Sequence, residues 1–132
     1  MITSQIIKIA SNTKNVGLTN KYNFKSNLKN SICGDKINLQ LIVKNTKIIS
    51  MKYETESCVY CEASASLLAL KIKNLKIDKV IKDLNLLKNI LNQKKCIFPK
   101  NFNNFKLLIK KENINRINCI NLPFNAVLKA LK

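Results

Sequence analysis

"KINLQLIVKNTKIISMKYETESCVYCEASASLL" (residues 36–68) changes its hydrophobic period halfway along. In 36–44, Ile37, Leu39, Leu41 and Val43 alternate with polar positions, the period of a strand with one buried face. Asn45-Thr46 reads as a turn, and 47–54 supplies a second alternating set in Ile49, Met51 and Tyr53, so the pair predicts an antiparallel hairpin. Past Cys58 the alternation stops. Ala63, Ser64, Ala65 and Ser66 predict a helix whose small side chains allow close backbone approach, with Leu67, Leu68 and Leu70 supplying burial. Strands followed by helices predict an α+β fold: a small antiparallel three-stranded sheet with helices packed on one face.

The flanks fit around this centre. Residues 3–12 predict a short helix with Ile6, Ile7 and Ala10 on one side, and 13–31 a polar loop with a strand around 22–25. In 76–95, Ile77, Val80, Ile81, Leu84, Leu87 and Leu91 share a helical stripe, with Asp78 and Asp83 on the polar side. Pro99 and the asparagines of 101–104 mark a break, and 105–111 reads as a further helical piece. The final "CINLPFNAVLKALK" (119–132) predicts a helix with Leu122, Val127 (or Leu128) and Leu131 inward and Pro123 in its first turn. Repeats and dividing linkers are absent, so residues 1–132 read as one domain.

Composition narrows the function classes. Apolar residues make up 46% of the chain, too many for a disordered protein. No stretch reaches the ~20 apolar residues of a membrane span, and "MITSQIIKIASN" is too short and polar for a secretory signal. A cytoplasmic protein is therefore expected, with its five cysteines as thiols or metal ligands and not disulfides. The net charge of +17 invites a nucleic-acid reading. However, all the basic residues but Arg116 are lysines, spread along the whole chain in the Lys/Asn/Ile bias of an A+T-rich coding sequence. Aromatic residues are only 6% and do not interleave with them as a base-stacking platform would need. Solvated lysine faces account for the charge better.

The absence of histidine removes imidazole base catalysis and Cys–His pairing. Gly17 and Gly34 stand alone, so there is no phosphate-cradling loop, and Ser64 and Ser66 lack a base and read as helix packing. Thiol chemistry remains. Cys33, Gly34 and Asp35 precede the first hairpin strand; in an extended segment Cys33 and Asp35 would face one point. Cys58 lies at the strand-to-helix junction and Cys119 at the start of the last helix, where free N–H groups favour a thiolate. Three cysteines and one aspartate suit zinc, or iron with sulfide. Each cysteine taken singly is equally at home as a small core residue.

Taken together, "NSICGDKINLQLIV", "SCVYCEASASLL", "NRINCINLPFNAVLKAL" and the N-terminal "NVGL" resemble the IscU/SufU/NifU N-terminal family of iron–sulfur cluster assembly proteins. The resemblance spans nearly the whole chain. It implies an α+β scaffold with metal ligands Cys33, Asp35, Cys58 and Cys119, and with Cys119 and Cys33 as candidate sulfur acceptors. It also separates subtypes. IscU-type members carry a histidine just before the last cysteine, where this chain has Asn118. The 61-residue interval from Cys58 to Cys119 is long, as in the SufU type. That type also places an arginine three positions before the last cysteine, and here that residue is Arg116. A guanidinium fork to an acidic group near the site is then expected of Arg116. Asn118 matches neither type, and the family's proline before Arg116 is missing.

The resemblance therefore implies a SufU-like protein: a zinc-bound sulfur acceptor, or zinc-dependent sulfurtransferase, working with a cysteine desulfurase and passing its product to a cluster carrier or apo-protein. An IscU-like scaffold assembling a transient [2Fe–2S] cluster would use the same ligands. Two readings from other classes compete: a dithiol oxidoreductase built on Cys58-Val59-Tyr60-Cys61, and a zinc module binding nucleic acid. Neither assigns a role to Cys96.

Overall fold

The computed structural model describes residues 2–132. Its sheet has four antiparallel strands in the order β1 (Phe24–Lys29), β2 (Lys36–Lys44), β3 (Lys47–Glu56) and β4 (Leu75–Lys76). The expected three-stranded sheet thus gains a two-residue strand that pairs with Lys47 and Ile48 at the start of β3. The strand expected around 22–25 begins later and runs further, because Phe24–Lys29 pairs along its length with Lys36–Leu41. Further along β3, beyond β4, the backbone of Tyr53 instead bonds to Asn15 and Gly17, so the N-terminal segment covers that edge.

The β2–β3 hairpin forms as its alternation predicts, with one correction. Ile37, Leu39, Leu41, Met51 and Tyr53 are buried, but the partner on the core side is Ile48 and not Ile49. Ile42 faces Ser50 and Val43 faces Ile48, leaving Ile49 as the extra residue of a β-bulge that reverses the parity of β3. Asn45 and Thr46 close the hairpin with φ of 53° and 63°. That conformation suits a two-residue hairpin turn, but it crowds the branched Cβ of Thr46.

Helix α1 (Ser4–Ala10) is capped by Thr3, whose Oγ1 accepts from Ile6 N–H; Ile6 is buried and Ala10 half-buried against the core as expected, whereas Ile7 is exposed and Ile9 packs in its place. Helix α2 (Val59–Lys71) is buried nearly all round, including Ala63, Ser64, Ala65 and Ser66, while Leu70 near its end faces solvent. Helix α3 (Ile77–Lys88) keeps the expected stripe but stops short of 95, giving way to a 3₁₀ turn at Ile90–Asn92. Asp83, expected on the polar side, is buried and paired with Lys79 at 3.1 Å, one turn back. Where a helical piece was expected over 105–111, the chain forms 3₁₀ segments, Lys100–Leu107 and Lys111–Arg116, kinked at Phe102 and Asn113. Phe102 and Phe105 anchor the first, and the Phe105 ring meets Phe124 edge-on at 5.1 Å between centroids.

Helix α4 (Ile117–Ala130) starts two residues before Cys119, which puts Pro123 in its second turn and not its first. Proline has no N–H to give to the carbonyl four residues back, that of Cys119. Helices α2 and α4 pack on each other and on the face of the sheet that carries Ile37, Leu39 and Tyr53. Ser64 Oγ donates to the Ile120 carbonyl (2.7 Å) and Ser26 Oγ to the Ala126 carbonyl (2.6 Å), tying α4 to the helix and to the sheet.

The strained hairpin turn gives a direct test. Thr46→Gly removes the branched Cβ at a positive φ, so stability should rise by roughly 0.5–1 kcal/mol despite the added freedom of the unfolded chain. Urea unfolding would show this as a higher midpoint at unchanged slope.

Candidate metal centre

One turn and two helix starts converge at one end of the sheet. The β1–β2 connection carries Cys33 on a turn, not on the extended segment expected of it. Gly34, with φ of +77°, donates its N–H to the Asn30 carbonyl, while Asn30 N–H bonds to the Asp35 carbonyl, both at 2.7 Å. Asn30 Oδ1 also accepts from Ile32 N–H (2.9 Å). Glycine accepts this left-handed backbone without a Cβ penalty, so the chain reverses between Cys33 and Asp35. Their side chains converge through the turn, and strand pleating plays no part. Cys33 is left exposed and Asp35 buried. The clamp by Asn30 was not read from the sequence. An Asn three residues before a Cys-Gly pair is the signal that would have pointed to it.

Cys119 comes from the other side, in the first turn of α4, buried against the core. Its Sγ lies 3.5 Å from that of Cys33, and these two sulfurs and a carboxylate oxygen of Asp35 all lie within 4.8 Å of one another. Among the described residues they are the group of Cys, Asp or Glu donors close enough to share one ion. Cys58, expected as the fourth ligand, stands outside that triangle. It is the N-cap of α2, half-buried, with a side chain that makes no capping bond, and its thiol interacts with that of Cys119. The fold therefore brings Cys33, Asp35 and Cys119 together and leaves Cys58 alongside, on the same end.

The electrostatics fit a site suited to a cation. Burial, then hydrogen bonding with the thiols of Cys33 and Cys58, pushes the Cys119 thiol well above the ordinary range, and Asp35 adds to the shift. Asp35 Oδ2 is buried without a hydrogen-bond partner. A buried carboxylate oxygen left this way costs about 1–3 kcal/mol or more, a cost that a bound cation would offset. The donor set of thiolates and one carboxylate fits zinc or iron.

Cys61 behaves differently from Cys58, three residues away. It is fully buried in the core, and its thiol is pushed up to about 12, chiefly by burial and against the Ser57 hydroxyl. A redox-active thiol needs access and a stabilised thiolate, so the dithiol reading of Cys58–Cys61 fails at Cys61. Arg116 is the N-cap of α4 and exposed, with its guanidinium 5.9 Å from the ring centroid of buried Tyr60. The expected fork to an acidic group is not formed: among the described residues Arg116 makes no ion pair, and its planar cation lies over an aromatic ring instead. Cys96 is exposed, its thiol directed at the Ile90 carbonyl, and it takes no part in the cluster.

The family model for the NifU-like N-terminal domain matches residues 1–101. The chain belongs to that family. The match includes Cys33, Asp35 and Cys58 and stops before Arg116 and Cys119. An uncharacterized protein of Borreliella burgdorferi is 28% identical over 131 residues, covering 99% of this chain and 82% of that protein. Among solved structures, the N-terminal part of a nitrogen-fixing NifU-like protein from Brucella abortus superposes with a TM-score of 0.87 at 18% identity, over 98% of this chain and 90% of that one. A protein of Fervidobacterium islandicum AW-1, described as an iron–sulfur cluster assembly scaffold protein for the SUF system, gives a TM-score of 0.87 at 22% identity, over 99% and 96%. The IscU/SufU-like α+β fold is thereby shown over the whole described chain, α4 and Cys119 included. No helix among the described residues is long and apolar enough to cross a membrane.

The environments of the thiols set an order of reactivity. In the folded protein, iodoacetamide should alkylate Cys33 and Cys96 first and leave Cys61 unmodified until the chain unfolds, as peptide mapping by mass spectrometry would show. Cys61 also contributes a pH dependence. Its unfolded thiol titrates near 9.0 and its folded one near 12, so above pH 9 the unfolded state binds fewer protons and stability falls until about 12. In Cys61→Ala the decline in stability from pH 9 to 10.5 should be shallower than in the parent, measured by urea midpoints.

Proposed function

We propose that this protein is an iron–sulfur cluster assembly protein of the NifU/SufU-like type, which holds a metal through Cys33, Asp35, Cys58 and Cys119 and accepts sulfur from a cysteine desulfurase. The observation that carries this reading is the triangle of Cys33, Asp35 and Cys119 within 4.8 Å, with a fourth thiol beside it. Membership of the NifU-like N-terminal family and the likeness to a SUF-system scaffold support the same assignment.

The residues divide the work by exposure. Asp35 and Cys119 are buried and hold the inner side of the site, whereas Cys33 rides on an exposed turn. Bound zinc would keep the thiols deprotonated near neutral pH. Cys33 is the better placed of the two candidate acceptors. Its thiolate attacks the terminal sulfur of the desulfurase persulfide; the S–S bond of that persulfide breaks and the desulfurase thiolate leaves. One persulfide is lost and one is gained, so no oxidant or reductant is needed. Cys119, 3.5 Å away, is within reach for relay or for joint capture of iron and sulfide. Arg116, three residues before Cys119 at the N-terminus of α4, would have a supporting role. Two electrons from an external thiol- or ferredoxin-class reductant would then release that sulfur as sulfide and restore the thiol, and the sulfide with iron would give the cluster passed on to a carrier or apo-protein. The protein works in the cytoplasm, where thiols stay reduced.

Metal analysis of anaerobically purified protein should give about one zinc or iron per chain. Changing Cys33, Cys58 or Cys119 to Ser, or Asp35 to Ala, should abolish stoichiometric binding, and Cys61→Ala should retain it. Because metal displaces thiol protons, affinity should weaken as pH is lowered. With a cysteine desulfurase and cysteine, trapping by alkylation should place a persulfide on Cys33 or Cys119; equal metal loss in Cys61→Ala, or no transferred sulfur, would refute the corresponding half of the assignment.

A further inference from the structure

A groove separates β1 from the facing sides of α3 and α4. It begins beside the metal centre, where Ile32 and Asn118 each precede a site cysteine, and runs along the outer face of α4 toward Lys129. Two contiguous depressions of ≈ 660 and ≈ 540 Å³ form it and share Leu28, Lys88 and Asn125. Its floor is aliphatic, from Leu28, Ile81, Leu122 and Leu128. Asn118, Asn121 and Asn125 follow one another along α4, offering amide donors and acceptors of the kind that pair with a peptide backbone. Lys29, Lys88 and Lys129 stand along the rim. None of the seven acidic side chains of the protein lines it.

We infer that this groove is a docking site for an acidic, extended polypeptide segment of a partner protein, with apolar residues between its carboxylates. Charge complementarity selects the sign of the occupant: a rim of lysines with no Asp or Glu side chain repels a basic segment and attracts an acidic one. The aliphatic floor and amide ladder select a polypeptide. No aromatic or arginine side chain lines the groove, so it lacks the stacking surfaces that hold nucleic-acid bases. From Asn118 to Lys129 helix α4 advances ~16 Å at 1.5 Å per residue, room for about five residues of extended chain. One end of a segment so bound reaches the turn of Cys33. The site thus goes beyond the metal and sulfur chemistry proposed above and does not depend on it.

The test is binding of a fluorescein-labelled peptide of about ten residues, Asp and Glu alternating with Leu and Val, to the full chain, with and without zinc. Saturable binding in both forms is expected. Lys29→Glu with Lys88→Glu should weaken it roughly tenfold or more, and Asn125→Trp, which fills the groove without changing charge, should do the same. Lys14→Glu with Lys73→Glu alters a separate lysine-lined depression beside Met51 and Leu70 and carries the same net charge; it should change binding by less than about twofold. Far-UV melts check that each variant is folded. No saturation by about 1 mM peptide would overturn the inference, as would equal losses in the two lysine pairs, which mean a general effect of the +17 charge. Tighter binding of an oligonucleotide of equal charge that is likewise blocked by Asn125→Trp would assign the groove to nucleic acid instead.

Discussion

The structure depends on how closely α2 approaches α4 and the sheet. Ala63, Ser64, Ala65 and Ser66 are all buried, which makes α2 a central helix instead of an amphipathic one lying on the surface. Longer side chains would push the backbones apart. Ser64 goes further than filling space, because its hydroxyl donates to the Ile120 carbonyl and fixes α4 one residue beyond Cys119. In buried surroundings such a bond is worth about 1 kcal/mol, and the unpaired carbonyl left without it costs more. The same helix presents Cys58 at its N-cap. The spacing of two site cysteines is therefore a consequence of core packing.

Against this fixed pair, the third cysteine arrives on a turn. Gly34 and Asn30 fold the β1–β2 connection so that Cys33 faces Cys119 while Asp35 goes inward. The site holds thiols in contact with one another and with an acidic group, and a buried Asp35 Oδ2 with no hydrogen-bond partner. Core packing alone would favour apolar side chains here. That it carries donors with an unmet demand for positive charge is the physical case for a cation, and it does not rest on kinship. The site is assembled at some cost, which a bound ion would return.

Regular patterns made much of this legible in advance. The hairpin and the stripe of α3 each repeat a period long enough to be recognised, α2 is marked by its run of small residues, and they bury the residues expected with few exceptions. Ile49 is one, since a bulge inserts a residue without any mark in the alternation. Asp83 is another, where a charge is carried inside by pairing with Lys79. The stretch from Pro99 to Arg116 winds as 3₁₀ segments anchored by Phe102 and Phe105, and its bonds are too short-ranged to impose a 3.6 period. The candidate ligands were visible as residue types near helix starts and a glycine. The geometry was not: an extended Cys33–Asp35 pair and a turn both bring the side chains together, and only the clamp by Asn30 decides between them. Arg116 was legible as unusual, yet the ring of Tyr60 that receives it lies more than fifty residues away in sequence.

The two cysteines of 58–61 show how little a motif fixes by itself. Position 58 ends the extended segment and opens a helix as its N-cap, so its thiol stays half-buried at the margin. Position 61 is inside the first turn of a helix buried on nearly every side, and the same thiol becomes a small apolar group whose ionisation is driven up to about 12. Three residues separate a half-buried environment from a core environment. The partner of Cys58 is therefore found across the fold in Cys119, 61 residues on, because α2 and α4 are locked together through Ser64. Long-range packing, and not the Cys-x-x-Cys spacing, determines which thiols act together.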